Sequence, residues 1–261
     1  MTETKISYKE LYATMITKYA PGFDILSKRE SWVQRLLSIV MSFFNPDYAT
    51  TYYTQMFGKL WVPSKEIADG IKNSTDLTIK NVALLYHEIE GHAQQKMSSK
   101  WFNFKYLFPQ GIFIMVLAVT LLLSPLLLTN LLGMWLGGWA FCHVWFWLFS
   151  ALGISAITMV PKLISARWRY NYELEAYKIS LLVYFFYGER DAARRYVYSI
   201  ADILSGSDYY WTAPGKRRDI QVLLNIWLYQ LEDRYTGTRL LPKRYEKVWE
   251  ELADLSTADK S

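Results

Sequence analysis

A long stretch without any charged side chain most constrains how this chain of 261 residues can fold. No Asp, Glu, Lys or Arg occurs between Lys105 and Lys162. A helix that crosses a membrane needs about 20 apolar residues. The stretch is long enough for two such helices, which we place at 110–131 and 138–160. The sequence therefore predicts a transmembrane helical hairpin; a buried hairpin in a soluble protein is the alternative.

Basic residues flank this apolar stretch on both sides. They are Lys96, Lys100 and Lys105 before it, and Lys162, Arg167 and Arg169 after it. Because lysine and arginine favour the cytoplasmic side of a membrane, we expect two spans with both termini in the cytoplasm. No N-terminal segment resembles a signal peptide, and the single cysteine, Cys142, cannot form an internal disulfide, which agrees with a reducing compartment.

The charge of the chain does not point to nucleic acid. The net charge is +5, and the basic residues are spread out or gathered beside the apolar stretch. The sequence holds no nucleic-acid motif and no phosphate-binding glycine loop. We therefore expect a lipid bilayer, and not a nucleic acid, as a partner of these basic side chains.

A cluster of histidine and glutamate shortly before the apolar stretch predicts a metal site. Of the three histidines in the sequence, two stand in His87-Glu88-Ile89-Glu90-Gly91-His92. Histidine is the commonest metal ligand, and a glutamate beside a ligating histidine is typical of zinc hydrolases, whose usual motif is H-E-x-x-H. We predict that His87 and His92 bind Zn²⁺ and that Glu88 is the general base.

The additional residue between the histidines matters because of helix geometry. Residues four apart differ by about 40° around an α-helix, whereas residues five apart differ by about 140°. A π-bulge would bring His87 and His92 together, and Gly91, a poor helix former, favours an irregularity there. Two alternatives stay open. Glu88 and His92, four apart, form the pair and leave His87 outside it, or the histidines are unrelated residues of a polar helix.

A third zinc ligand is expected after the apolar stretch. Glu173 lies 11 residues after Lys162, and His92 lies 13 residues before Lys105. A hairpin returns the chain to the same side of the membrane, so two helices that leave it side by side bring these residues to similar heights. On spacing alone Glu173 is a solvated helix carboxylate, and Glu175 is an alternative ligand. We expect the metal site to lie on the cytoplasmic side.

The remainder of the sequence predicts a mainly α fold with one short β-hairpin or strand pair. Apolar spacing and helix start and stop signals predict helices at 4–20, 29–44, 78–98, 165–187, 190–204, 216–235 and 243–255. For the helix with the histidines, residues 74–76 offer the start signal. The segment 48–63, with Gly58 as a break, is the only good strand candidate. It could bind an extended peptide, although a structural strand is the simpler interpretation.

Three segments follow from this pattern. Residues 1–105 form the first part of a helical metal-binding domain and carry the histidine motif. Residues 106–161 form the inserted transmembrane hairpin, and residues 162–261 form the second part, which supplies the third ligand.

This layout resembles the gluzincin-type membrane zinc metallopeptidases, such as the CAAX-prenyl and heat-shock membrane proteases. Those enzymes carry a histidine motif on one helix, and an E-x-x-A-D motif supplies the third ligand after an apolar hairpin. Here that motif is E-x-x-A-Y, in Glu173-Leu174-Glu175-Ala176-Tyr177. Over roughly residues 48–211 the chain is also similar to metallopeptidases of phage and bacterial genomes. These share the glutamine after the histidine motif, a Tyr-Leu-x-Pro stretch, here at residues 106–109, and an Arg…Glu-Leu-x-Ala-Tyr stretch, here ending at Tyr177.

The resemblance implies a zincin-like fold that hydrolyses a peptide or protein substrate. It carries His87, His92 and Glu173 over as the Zn²⁺ ligands and Glu88 as the general base. Two departures stand out: the additional residue in the histidine motif, and Tyr177 in place of an aspartate. The second removes a carboxylate that could orient a ligating histidine.

The predicted chemistry is metal-assisted hydrolysis of a peptide bond, with Tyr177 or Tyr172 as candidates to stabilise the oxyanion. A non-catalytic alternative is a membrane-anchored helical protein, phage-encoded, with a degenerate or structural metal site. A lipid-modifying or lysis-related membrane protein without metal is a third hypothesis, which rests on the apolar stretch alone.

Overall fold

The computed structural model of the protein describes residues 8–19, 22–42, 46–50, 53–56, 58–73, 78–93, 101, 167–206, 213 and 215–258. In these ranges the protein is mainly helical, as the sequence predicts. The predicted spans at 110–131 and 138–160 lie outside them. Among the helices in the described part of the chain, none is both long and apolar enough to cross a membrane.

Eight α-helices and three short strands make up the described part of the chain. They are α1 (Tyr8–Tyr19), β1 (Asp24–Ser27), α2 (Trp32–Ser42), β2 (Thr54–Met56), β3 (Lys59–Val62), α3 (Lys65–Asn73), α4 (Ile79–Tyr86), α5 (Arg167–Phe186), α6 (Arg190–Ser205), α7 (Arg217–Tyr235) and α8 (Lys243–Ala258). A π-helix, His87–Ala93, continues α4 and is called the π-segment below. Two short 3₁₀ turns cover Lys28–Glu30 and Pro46–Ala49.

The strands form one small mixed sheet in the order β1-β3-β2. β1 pairs with β3 in parallel, and β2 pairs with β3 antiparallel. Gly58, with φ of +75°, allows the tight turn between β2 and β3, because other residues adopt this conformation at a cost. The strand candidate at 48–63 is therefore a hairpin with its break at Gly58, whereas β1 was not expected from the sequence.

Two further details differ from the sequence-based expectations. Helix α3 was not anticipated; Ser64 caps it by accepting a hydrogen bond from the backbone amide of Ile67 at 3.3 Å. Helix α4 begins after Thr78, whose side chain accepts from the amide of Asn81 at 3.2 Å, and so the observed cap is not at 74–76. Both caps satisfy amides that have no partner inside the helix.

Helix α5 is the centre of the molecule. Leu181, Leu182 and Val183 are consecutive and all fully buried, so no side of the helix is left to solvent along this turn. A helix that is apolar all round has to be surrounded by other elements. Here α4, the π-segment, α6, α7 and α8 pack around it. The two parts of the chain that flank the apolar stretch therefore share one core.

Candidate metal centre

The π-segment accommodates the additional residue of the histidine motif. It covers His87–Ala93, and the hydrogen bonds of a π-helix join residues five apart. Residues five apart then lie nearly above one another, as residues four apart do in an α-helix. The expected π irregularity is thus confirmed, and the backbone positions of His87 and His92 fall on one face. The side chain of His92 lies outside the described part, so its role as a ligand stays a prediction.

A glycine lets the π-segment approach α5 closely. A Cβ atom at Gly91 would lie 2.7 Å from the Cβ of Ala176 and 3.0 Å from its Cα. Because real Cβ atoms do not approach so closely, a larger residue at 91 would force the two helices apart. Glu173 lies one turn from Ala176 on the same face of α5. The close approach therefore brings Glu173 to the π-segment.

His87 and Glu173 face each other at this contact. The Nε2 atom of His87 lies 3.6 Å from Oε2 of Glu173. The two side chains are 8% and 0% exposed. The distance exceeds that of a hydrogen bond. It is close to the separation of about 3.4 Å expected for a nitrogen and an oxygen bound to one tetrahedral Zn²⁺.

Two of the three expected ligands are thus adjacent. Among the side chains that the structure describes, no group of three His, Cys, Asp or Glu residues is arranged to hold a metal. The third expected ligand, His92, is not among those side chains. The described pair fits part of a zinc site, and the set of three stays a prediction.

Ser180 contacts the ring nitrogen of His87 that points away from Glu173. The Oγ atom of Ser180 lies 3.4 Å from the carbonyl oxygen of Ala83 and 3.3 Å from Nδ1 of His87. A hydroxyl has a single proton, so when it is donated to Ala83, Oγ is left to accept from an Nδ1–H of His87. In that tautomer the lone pair lies on Nε2, the atom nearest Glu173. Metal-binding histidines show the same arrangement, with the other ring N–H held by an oxygen.

Tyr177 occupies the position where the gluzincin motif has aspartate. Its ring packs edge-on against the imidazole of His87, with ring centroids 4.7 Å apart. Ser180, one turn further along α5, provides the oxygen for the Nδ1 atom of His87. In this structure the oxygen beside Nδ1 of His87 therefore comes from a serine and not from residue 177.

The structure separates Glu173 from Glu175. Residues two apart differ by about 200° around a helix, so the two carboxylates leave α5 on opposite sides. Glu175 accepts hydrogen bonds from Nζ of Lys178, at 2.7 Å, and from the hydroxyl of Tyr245. Glu173, and not Glu175, is therefore the carboxylate that reaches His87.

A cleft of about 560 Å³ opens beside His87 and Glu88. This volume is in the usual range for ligand sites. Besides His87 and Glu88, its walls include four tyrosines and two polar residues, namely Tyr53, Tyr177, Tyr184, Tyr196, Lys80 and Asn81. The side chain of Glu88 is 7% exposed. Glu88 therefore belongs to the wall of a cleft, as a general base requires, and does not lie on an open helix surface.

Tyr196 is a cleft residue that the sequence did not single out. Burial raises the pKa of its phenol, and coulombic repulsion from the phenolate form of Tyr184 and from the carboxylates of Glu173 and Glu88 raises that pKa further. The hydroxyl therefore keeps its proton and is available as a hydrogen-bond donor. With 20 tyrosines in the chain, no local pattern distinguishes this one. Its significance comes from α6, which places it beside the two carboxylates.

Comparison with known proteins adds no relative. No family model matches the chain, and no curated protein or solved structure matches it either. The interpretation of the site therefore rests on the geometry and chemistry of its own residues.

Proposed function

We propose that the protein is a membrane-associated, zinc-dependent peptidase whose metal is bound by His87, His92 and Glu173. The approach of His87 Nε2 to Glu173 Oε2, at 3.6 Å, carries this proposal. A buried pair at this separation, with a serine hydroxyl beside the other ring nitrogen of the histidine, suits two ligands of one Zn²⁺. The π-segment supports the assignment of His92 as the third ligand.

The proposed reaction is hydrolysis of a peptide bond. Bound zinc would supply Lewis acidity, lowering the pKa of a water toward about 7 and polarising the substrate carbonyl. Glu88 would accept the proton of the attacking water and return it to the leaving amine. Tyr196 would donate a hydrogen bond to the carbonyl oxygen as negative charge develops on it.

An extended peptide is the substrate form that suits the cleft. β2 lies at one edge of the sheet, and Tyr53, directly before it, lines the cleft beside Glu88. An edge strand offers backbone groups with which an extended chain can pair. A substrate paired there would run past Glu88 and His87.

The bilayer is proposed as the setting of this activity because of the uncharged stretch between Lys105 and Lys162. Extraction of cell membranes with alkaline carbonate tests this proposal, since it releases proteins that are only bound to the surface. We expect the protein to stay in the membrane pellet. Release into the supernatant would contradict the two predicted spans.

The substitution Glu88→Gln tests the catalytic assignment. In detergent-purified protein with fluorescently labelled casein as substrate, we expect this variant to retain zinc and to lose about 10²–10⁴-fold in activity, the usual contribution of a general base. Glu66→Gln, which alters an exposed carboxylate on α3, is the control and should keep wild-type activity. Full activity of Glu88→Gln would refute the role of Glu88. Zinc-loaded wild-type protein without activity would favour the non-catalytic alternative.

A further inference from the structure

An arginine from the last helix contacts the π-segment where the additional residue of the histidine motif is accommodated. Arg244, in the first turn of α8, donates from Nη2 to the backbone oxygen of Glu90 at 2.8 Å and to that of Gly91 at 3.2 Å. A backbone carbonyl has two lone pairs and can accept a hydrogen bond from outside its helix. A guanidinium group at this position therefore stabilises the backbone of the π-segment at Glu90 and Gly91.

Arg244 also lies beside a buried carboxylate. The side chain of Glu90 is 1% exposed, and its Oε1 atom lies 3.9 Å from Nε of Arg244. A buried charge is strongly unfavourable unless an opposite charge or hydrogen bonds compensate it. The hydrogen bonds and the ion pair of Arg244 therefore act on Glu90 and Gly91, the two residues directly before His92.

We propose that Arg244 is a positioning residue that keeps His87–Ala93 in the π-helical form and so holds His87 and His92 on one face. The packing of Gly91 on Ala176 fixes how far the π-segment lies from α5. Arg244, on α8, holds the backbone of the π-segment at Glu90 and Gly91. The link to zinc binding rests on the proposed function, whereas the effect on the helix does not.

Arg234 provides a matched control for a purely structural role. Its Nε donates to the carboxylate of Glu246, on α8, at 2.7 Å. The side chain is 22% exposed, compared with 29% for Arg244. Replacing either arginine by methionine removes a half-buried charged contact of α8. Of these two arginines, Arg244 is the one whose contacts include the π-segment.

Hydrogen–deuterium exchange of the zinc-free full chain in detergent tests the effect on the helix. In Arg244→Met we expect the amides of residues 84–93 to exchange about tenfold faster or more, the effect of losing a hydrogen bond to a charged group. Arg244→Lys keeps the charge but not the planar guanidinium group, so its exchange rates at residues 84–93 should lie between those of the wild-type protein and Arg244→Met. Peptides from α6 should keep their wild-type rates, and Arg234→Met should leave residues 84–93 unchanged. Wild-type exchange of residues 84–93 in Arg244→Met, or an equal increase along the whole chain, would overturn the proposal.

Zinc affinity, measured by competition with a chromophoric chelator, tests the consequence for the site. Arg244→Met should bind zinc about 10–100-fold more weakly, the range for residues that support metal ligands from outside. Arg234→Met should bind zinc like the wild-type protein. If the wild-type protein binds no zinc but the exchange results hold, the proposed function fails and the role of Arg244 stands. If zinc binds and peptide is cleaved but the exchange is unchanged, the role of Arg244 fails and the function stands.

Discussion

At the scale of single residues, one hydroxyl contacts the ring of His87. Oγ of Ser180 lies 3.3 Å from Nδ1, and the other ring nitrogen, Nε2, faces Glu173. Nε2 lies 3.6 Å from Oε2 of Glu173, which is longer than a hydrogen bond and close to the separation of two ligands on one Zn²⁺.

The variant Ser180→Ala tests this residue-level account. Without the hydroxyl, Nδ1 of His87 loses this hydrogen bond, and the ring can turn or change tautomer. We expect about tenfold weaker zinc binding, at the lower end of the effect of such supporting residues. Competition with a chromophoric chelator measures the affinity. Ser199→Ala, at an exposed position of α6, should bind zinc normally; unchanged affinity in Ser180→Ala would contradict the account.

Sequence reasoning found some of these residues and could not have found others. Glu173 was a candidate because a hairpin returns the chain to its starting side, and a helical wheel separates it from Glu175. The wheel does not show which face of α5 meets the histidines, because that depends on how the helices pack. Ser180 lies seven residues after Glu173 on the same face, yet a serine in a helix is too common to be a signal. Arg244 comes from a distant part of the chain that no local pattern connects to the motif.

At the scale of elements, the contact between the π-segment and α5 determines the site. The π-segment places residues five apart on one face, which an α-helix would not do, and Gly91 lets this segment lie against Ala176. The sequence favoured the first feature, since a π-bulge was one way to bring the two histidines together and Gly91, a poor helix former, favoured an irregularity there. The partner of Gly91 could not be known without the structure.

The substitution Gly91→Ala tests the close approach of the two helices. The added Cβ would lie 2.7 Å from the Cβ of Ala176, so the π-segment must move away from α5. We expect a loss of about 1–3 kcal/mol in stability, as for other overpacked sites, together with loss of zinc. Thermal unfolding followed by circular dichroism, with zinc content in parallel, measures both.

Two further variants separate this effect from a general effect of alanine. Gly70→Ala, on α3, meets no atom within 4 Å and should leave stability unchanged or raise it by about 0.4–1 kcal/mol. The double variant Gly91→Ala/Ala176→Gly removes the 2.7 Å contact between the two Cβ atoms but keeps the 3.0 Å approach to the Cα of residue 176, so it should recover part of the zinc binding. Zinc binding in Gly91→Ala equal to that of the wild-type protein would show that the close approach is not needed.

The sequence predicted the long helices well but missed some short elements. The long helices α5, α6, α7 and α8 lie at the expected positions because each has a clear apolar spacing and a start or stop signal. Helix α3 is short, with Gly70 in its interior, and β1 has only four residues, so neither stands out from loop sequence. Tertiary packing, and not local preference, stabilises such short elements.

At the scale of the whole molecule, the chain forms one core from two parts that are distant in sequence. α4 and the π-segment come before the uncharged stretch, α5 comes after it, and these elements pack together. The site therefore needs both parts, with His87 and Glu88 from the first and Glu173, Ser180 and Tyr196 from the second. A mainly helical fold was expected, and the meeting of the two parts followed from the hairpin hypothesis. The zincin-like fold and the transmembrane hairpin remain part of the proposal.

The zinc content of detergent-purified protein, measured by inductively coupled plasma mass spectrometry, tests the central claim most directly. We expect about one zinc per chain, as in other sites with three protein ligands. The single variants His87→Ala, His92→Ala and Glu173→Ala should each lose it, and Glu175→Ala should retain it. Wild-type protein without zinc, or zinc that is retained in Glu173→Ala and lost in Glu175→Ala, would contradict the proposed centre.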